Sequence, residues 1–179
     1  MIAIALGGNL DWQGLSTPDI FRLACRQLQD RGIIPYRMSH LYQTRPIGPP
    51  QDNYYNAVIL VRYLRSPHAL MRALHHLENS FQRQRAERWG ARTLDLDLID
   101  FHGKTVCGAL EIPHPRLADR AFVLHPLRDV APHWRHPVTQ QTLDQLIRSL
   151  PASARQGIIH RSSGRFSLQK EDDAPKNHA

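Results

Sequence analysis

Leu94, Asp95, Leu96, Asp97 and Leu98 alternate without a break, and that alternation constrains the fold more than any other stretch of the chain. Successive strand side chains point to opposite faces. The leucines therefore predict a buried face, and the two aspartates share the other one. Their carboxylates lie one strand repeat apart, roughly 6.5–7 Å, so they can hold one hard cation or bridge two. An antiparallel strand with a solvated face shows the same pattern, and Asp-Leu-Asp alone reads as a wet surface. The flanking residues shift that reading: Arg83, Arg85, Arg88 and Arg92 fall just upstream, with Trp89 among them. Guanidinium forks match phosphate oxygens, and magnesium takes a few carboxylates, several waters and a substrate's phosphates. The stretch reads as a metal–phosphate site.

The rest of the chain supplies the scaffold for such a strand. Residues 2–6 form a short apolar run that ends in Gly7-Gly8-Asn9, as a buried strand does. Ser16 or Thr17, followed by Pro18, opens a helix to about Arg31, with Ile20, Leu23, Ala24, Gln27 and Leu28 near its inward face. A second strand is expected over Ile33 to Tyr42, a turn-rich loop from Thr44 to Asn53, and a third strand from Tyr55 to Tyr63. Ser66-Pro67 opens a second helix whose Leu70, Leu74, Leu77 and Phe81 recur at helical spacing and read as core. The strand at residues 93–101 is fourth, and His102-Gly103-Lys104 reads as a turn into a short fifth. The order β-α-β-β-α-β is the split βαβ, or ferredoxin-like, arrangement. The fold class expected is α+β: an antiparallel sheet with helices on one face, plus short C-terminal helices, one of them near Leu143 to Leu150. The sheet's other face is then free for a ligand.

At 179 residues the chain suits one domain with a real core. We expect a single domain over residues 1–160 and a polar tail over 161–179, disordered from Gln169. No apolar run is long enough to span a bilayer, and the short N-terminal run lacks the basic leader of a signal peptide. Cys25 and Cys107 have no metal-ligand spacing, which argues against a disulfide scaffold. A cytoplasmic setting follows. The formal charge of +7 suggests an anionic partner. Twenty arginines against three lysines favour bidentate phosphate recognition, although a GC-rich genome produces the same bias. The eleven histidines form no convincing zinc set.

Two further clusters carry candidate chemistry. Pro113 and Pro115 rigidify the backbone around His114, with Arg116, Arg120 and Phe122 following; a histidine so fixed can donate to a phosphate, or be an exposed loop residue. The loop from Thr44 leads into Tyr54, Tyr55 and Asn56. These residues suit a slot for a flat heterocycle, because aromatic faces stack on rings and an amide offers donor and acceptor. Read alone, they better suit an ordinary loop with tyrosines filling a sheet face. Glu78 is expected to pair with an arginine on the helix surface, unless it points into the site.

Together these clusters resemble the 6-hydroxymethyl-7,8-dihydropterin pyrophosphokinase family over roughly residues 2–150. The most specific element is Arg88-x-Gly-Ala-Arg92-x-x-Asp95-Leu-Asp97-Leu-Ile. Gly7-Gly8-Asn9-Leu10, Tyr42-x-Thr44-x-Pro46-x-Gly48, Tyr54-x-Asn56 and Pro113-His114 through Arg120-x-Phe122 follow in the family's order. The resemblance implies transfer of pyrophosphate from ATP to the hydroxymethyl group of a reduced pterin, releasing AMP. It implies that Asp95 and Asp97 bind two magnesium ions, and that Arg83, Arg85, Arg92, His114 and Arg120 bind ATP. Arg83, Arg92 and Asp97 would be catalytic. Gly7, Thr44, Pro46, Ile47, Tyr54, Asn56, Trp89 and Phe122 would form the pterin pocket. Glu78 matches an acid near the family's active centre. The partners implied are ATP and a reduced pterin, with no nucleic acid and no membrane, acting on a monomer. Gly8, Arg45, Gln82 and Pro115 depart from the family's usual residues, and the arginine loop is one residue shorter. Two alternatives are a paralogue acting on a different pterin and a basic module that stacks RNA bases on its sheet.

Overall fold

Strand β1, Ile2–Gly8, is apolar at nearly every position. A run without alternation marks a strand buried on both faces, and the computed structural model, which describes residues 1–46, 48–81 and 90–168, places it accordingly. β1 lies between β4 (Tyr54–Arg62) and β5 (Asp95–Phe101), antiparallel to both. β3 (His40–Thr44) and β6 (Ile158–Arg165) extend the sheet in the order β5-β1-β4-β3-β6, and β2 (Ile34–Met38) pairs with β4.

Two helices cover one face. In α1, Thr17–Asp30, the buried residues Ile20, Phe21, Ala24, Cys25 and Leu28 form one stripe. In α2, Pro67–Ser80, Leu70, Leu74 and Leu77 do the same, and the Ser66 hydroxyl caps it by accepting from Ala69 N–H at 3.2 Å. Their stripes meet Ile2, Ile4 and Leu6 of β1, Ile59 and Val61 of β4, and Leu96 and Leu98 of β5. Burial pushes the Cys25 thiol up to about 12, so it serves as a small apolar filler. Among the described residues, no helix is long and apolar enough to cross a membrane.

The α+β class and the antiparallel sheet match expectation, but the free second face does not. Ala3 and Ala5 of β1 and Val58 and Leu60 of β4 pack under α3 (Ala121–Val130) and α4 (Leu143–Ser149), against Leu124, Leu127 and Leu146. Helices thus lie on both faces, because β1 and β4 have apolar residues to bury on both. The expected second strand is two strands that separate at Ser39. The register on β4 shifts between Pro35 and Arg37, where proline has no N–H to donate. Buried Ser39 then bonds to Val58 through both its N–H and its hydroxyl. The expected fifth strand after Gly103 is only a bridge between Val106 and Ile112.

The boundary at residue 160, with a polar tail from 161, is also corrected. A four-residue helix α5, Ala152–Arg155, leads into β6, which pairs with β3 through Arg165. Phe166 is 4% exposed, donates its N–H to Ser39 O at 2.8 Å, and sets its ring 6.4 Å from that of Phe21. Residues 169–179 lie outside the described residues. Polar β6 reads as tail because most of its side chains meet water and its partner strand lies far away in sequence. Phe166→Ala should destabilise the protein by about 3 kcal/mol in urea unfolding; an unchanged midpoint would mean that this end of the chain does not belong to the core.

Candidate active site

Directly opposed residues of an antiparallel pair share a face. Gly7 opposes Asp95 on one side and Asn56 on the other, while Ala5 opposes Asp97 and Val58. The acids therefore lie on the face covered by α3 and α4, just beyond the edge of that cover. Half of this face is core and the other half is the site. Gly7 leaves a gap in the row: a Cβ there would meet Asn56 Oδ1 at 3.4 Å and Asp95 Cβ at 3.8 Å.

Each acid has an arginine partner. Arg92 Nη1 donates to Asp95 Oδ2 at 2.6 Å, and Arg120 Nη1 donates to Asp97 Oδ2 at 2.7 Å. Arg120 arrives at the N-terminal end of α3, so the cover of the core half delivers a cation to the site half. His114 follows the cis Ile112–Pro113 peptide, and its Nδ1 accepts from Arg116 N–H at 3.1 Å. That fixes the neutral tautomer with its proton on Nε2, 3.8 Å from Asp97 Oδ2, too far for a hydrogen bond. Burial, and then the Arg120 charge, hold the His114 pKa below its ordinary value, while Asp97 acts in the opposite sense.

The donor set can be tested against a cation. Among the described residues there is no group of three or more His, Cys, Asp or Glu side chains that could hold a metal. The described residues thus do not build a closed cage of protein side chains of the kind zinc takes. Two part-exposed carboxylates on one strand face, ringed by arginines, fit magnesium whose other ligands are water and phosphate oxygens.

The loops around the acids are fastened by Asn9, to which the sequence reading gave no role, and by Tyr54. Asn9 Oδ1 accepts from Arg92 N–H at 2.9 Å, while its Nδ2 donates to Gln51 Oε1 and Asp52 O at 3.1 Å each. One amide thus holds both loops, and the available signal was an asparagine directly after the glycine pair that ends an apolar strand. Tyr54 Oη donates to Gly90 O at 2.9 Å, and burial raises its pKa. Glu78 is not on the helix surface as expected: it is 1% exposed and accepts from Leu96 N–H at 2.7 Å, bracing β5 from the α2 side.

Asn56 Nδ2 donates to Thr44 Oγ1 at 2.8 Å. Beyond Thr44 opens a cleft of about 290 Å³, lined by Pro46 and Phe122 with Arg45, Asp119 and residues of α5 and β6. Arg120 lies over the Phe122 ring, 5.6 Å from its centroid. The structure thus brings together Gly7, Asn56, Asp95, Asp97, Arg92, His114 and Arg120 as one group around the acids, with Tyr54 bound to their loop. Pro46 and Phe122 lie towards the cleft. Ile47, Arg83, Arg85, Arg88 and Trp89 lie outside the described residues.

The family model described as 7,8-dihydro-6-hydroxymethylpterin-pyrophosphokinase matches residues 3–132. The chain belongs to this family. A Synechocystis protein named 2-amino-4-hydroxy-6-hydroxymethyldihydropteridine pyrophosphokinase is 43% identical over 124 residues, 69% of this chain and 64% of that protein. A Bacillus subtilis protein of the same name is 31% identical over 145 residues, 79% of this chain and 84% of that protein. A Dictyostelium discoideum folic acid synthesis protein is 36% identical over 124 residues, and the chain spans only 18% of its length. The fold is similar to that of a Plasmodium falciparum HPPK-DHPS crystal structure with pteroate, at TM-score 0.62 and 13% identity over 81% of this chain and 40% of that one. The family's matched span holds every candidate residue named above, and it stops before α4, α5 and β6.

His114 supplies a test of this electrostatic arrangement. In an NMR titration its midpoint should lie below the ordinary value of about 6.5. Arg120→Gln should raise it and Asp97→Asn should lower it further; the opposite ordering would overturn the assignment. Because the folded state resists protonation, the unfolded state binds more protons in the window between the two midpoints. Stability should therefore fall as pH falls through that window.

Proposed function

We propose that the chain transfers pyrophosphate from ATP to 6-hydroxymethyl-7,8-dihydropterin, releasing AMP and the pterin pyrophosphate, as a step of folate synthesis. The observation that carries this reading is the pairing of Asp95 and Asp97 with Arg92 and Arg120 on a part-exposed stretch of sheet face beside a glycine gap. Such pairs suit exchange: part-exposed ion pairs are worth about 0–1 kcal/mol. Either arginine can therefore turn to a phosphate oxygen at little cost while its carboxylate accepts a cation.

Asp95 and Asp97 are the residues that would hold magnesium, two ions in the reading carried by the resemblance. When bound, magnesium neutralises phosphate charge and aligns the groups that react. Arg92 and Arg120 bind the phosphates and stabilise the charge that spreads over them in transfer. Neutral His114 contributes a directed Nε2–H donor rather than a third positive charge. The flat ring rests over Gly7, where no side chain lifts it away from the strand. Asn56 Oδ1 faces that gap as an acceptor for a ring N–H. Tyr54 and Phe122 flank the ring, and Thr44 and Pro46 bound its far end. Attack of the hydroxymethyl oxygen on the β-phosphorus needs alignment more than covalent help from the protein.

The RNA-binding alternative needs an open sheet face for stacked bases, and α3 and α4 cover that face here. A paralogue acting on a different pterin keeps all the chemistry above and differs only in its acceptor.

Product analysis with ATP, magnesium and the pterin tests the proposal. AMP and pterin pyrophosphate should form in equal amounts, and chelation of magnesium should stop both. Asp97→Ala should cut turnover at least about 100-fold while leaving unfolding stability within about 1 kcal/mol. A folded variant with near wild-type turnover would refute the assignment.

A further inference from the structure

The chain continues past the family-matched span, and that continuation reaches the site. β6 pairs with β3 so that Ile158 opposes Thr44, and Thr44 opposes Tyr54. Opposed residues share a face, so Ile158 lies on the face that carries Asn56, Gly7 and the acids. β6 thereby extends this face by one strand beyond β3. Thr44 stands two strands across and two residues along from Gly7, roughly 12 Å, a little more than the long axis of a bicyclic ring with its substituent. A ring whose hydroxymethyl group faces Asp95 and Asp97 and which lies along this line points its opposite end towards Thr44, a lining residue of the cleft of about 290 Å³. Ser153, Gln156 and Ile158 line that cleft together with Thr44, Pro46 and Phe122.

This far wall is fixed in place. Arg45 N–H donates to Gly157 O at 2.8 Å, tying the loop after β3 to the start of β6. Arg161 Nη1 lies 3.6 Å from Asp129 Oδ1, and Arg165 Nη2 donates to Asp129 O at 3.2 Å. Phe166 anchors the strand's end in the α1-side core.

We propose that α5 and the start of β6 add a subsite to the substrate cleft, with Ser153 and Gln156 as specificity-determining residues for the end of the heterocycle remote from the reacting group. The assignment rests on the pyrophosphokinase reading above. Phe122 and Ile158 give the subsite apolar walls. A hydroxyl and a primary amide both donate and accept, which suits the alternating donors and acceptors along the edge of an amide-containing ring. Pockets of this kind pair mostly apolar walls with a few placed polar groups.

The test is Ser153→Phe in the full chain, because Ser153 is exposed and a larger side chain there fills the cleft without entering the core. KM for 6-hydroxymethyl-7,8-dihydropterin should rise at least tenfold, with kcat at saturation and KM for ATP within twofold of wild type. Gln156→Trp, also at an exposed position, should do the same and serves if the first variant misfolds. Unchanged pterin KM in a folded variant would overturn the subsite, and so would an equal rise in KM for ATP. Equilibrium binding of the same pterin separates the two readings. A wild-type protein that neither binds it nor forms AMP refutes the proposed function and the subsite with it. Wild type and Ser153→Phe binding it equally refute the subsite alone.

Discussion

The central position of β1 governs the rest of the structure. It is paired on both edges and buried on both faces, so its residues are packed from four directions and its register cannot slip without turning core side chains to solvent. That register sets Gly7 against Asp95 and Asn56, and Ala5 against Asp97. An acid pair, a gap and an amide are thus aligned by the strand with the least freedom to move. The site opens where β1 ends because the α3–α4 cover ends there too, and α3 begins with the arginine that meets Asp97.

Electrostatics follow from the same geometry. Two carboxylates on adjacent outward positions of one strand repel each other. Arg92 and Arg120, reaching in from different segments, neutralise them while leaving them in contact with water. A fully buried arrangement would cost several kcal/mol per ion to desolvate and would hold its pairs too firmly to exchange them. His114, kept neutral by burial beside Arg120, adds a donor without adding charge. The proposed exchange of partners between carboxylates and phosphates depends on this intermediate exposure.

Much of the site was legible in the sequence because its signals are local. The Leu/Asp alternation fixed which side chains share a face, and the helical stripe of α2 marked its buried residues. What the sequence did not disclose depends on contacts between distant segments. The cover of the second face by α3 and α4 comes from the alternate apolar residues of β1 and β4, visible only as strands without a polar side. The clamp made by Asn9 joins loops 42 and 83 residues away, and no local pattern distinguishes it from an ordinary turn asparagine. Glu78 looked like a surface acid because helical spacing does not show that the β5 backbone passes over it. Polar β6, with its serines and glycine, resembled a tail because its pairing partner lies more than a hundred residues upstream.

Covering the second face also limits the ligands the protein can accept. An uncovered sheet offers a broad platform on which bases stack at several positions, tolerant of sequence and length. Here α3 and α4 reduce the platform to a strip along the strand ends, bordered by the loops that Asn9 and Tyr54 hold. A strip of that shape suits a short, flat molecule lying across the strands with one end at the acids, as the proposed function requires. Its length is set by how many strands it crosses, and β6 makes it one strand longer. In the proposed function the positive charge of the chain acts on the phosphates at one end of the strip, while the cleft at the other end, where Arg45 and Asp119 join apolar residues, receives the uncharged part of the acceptor.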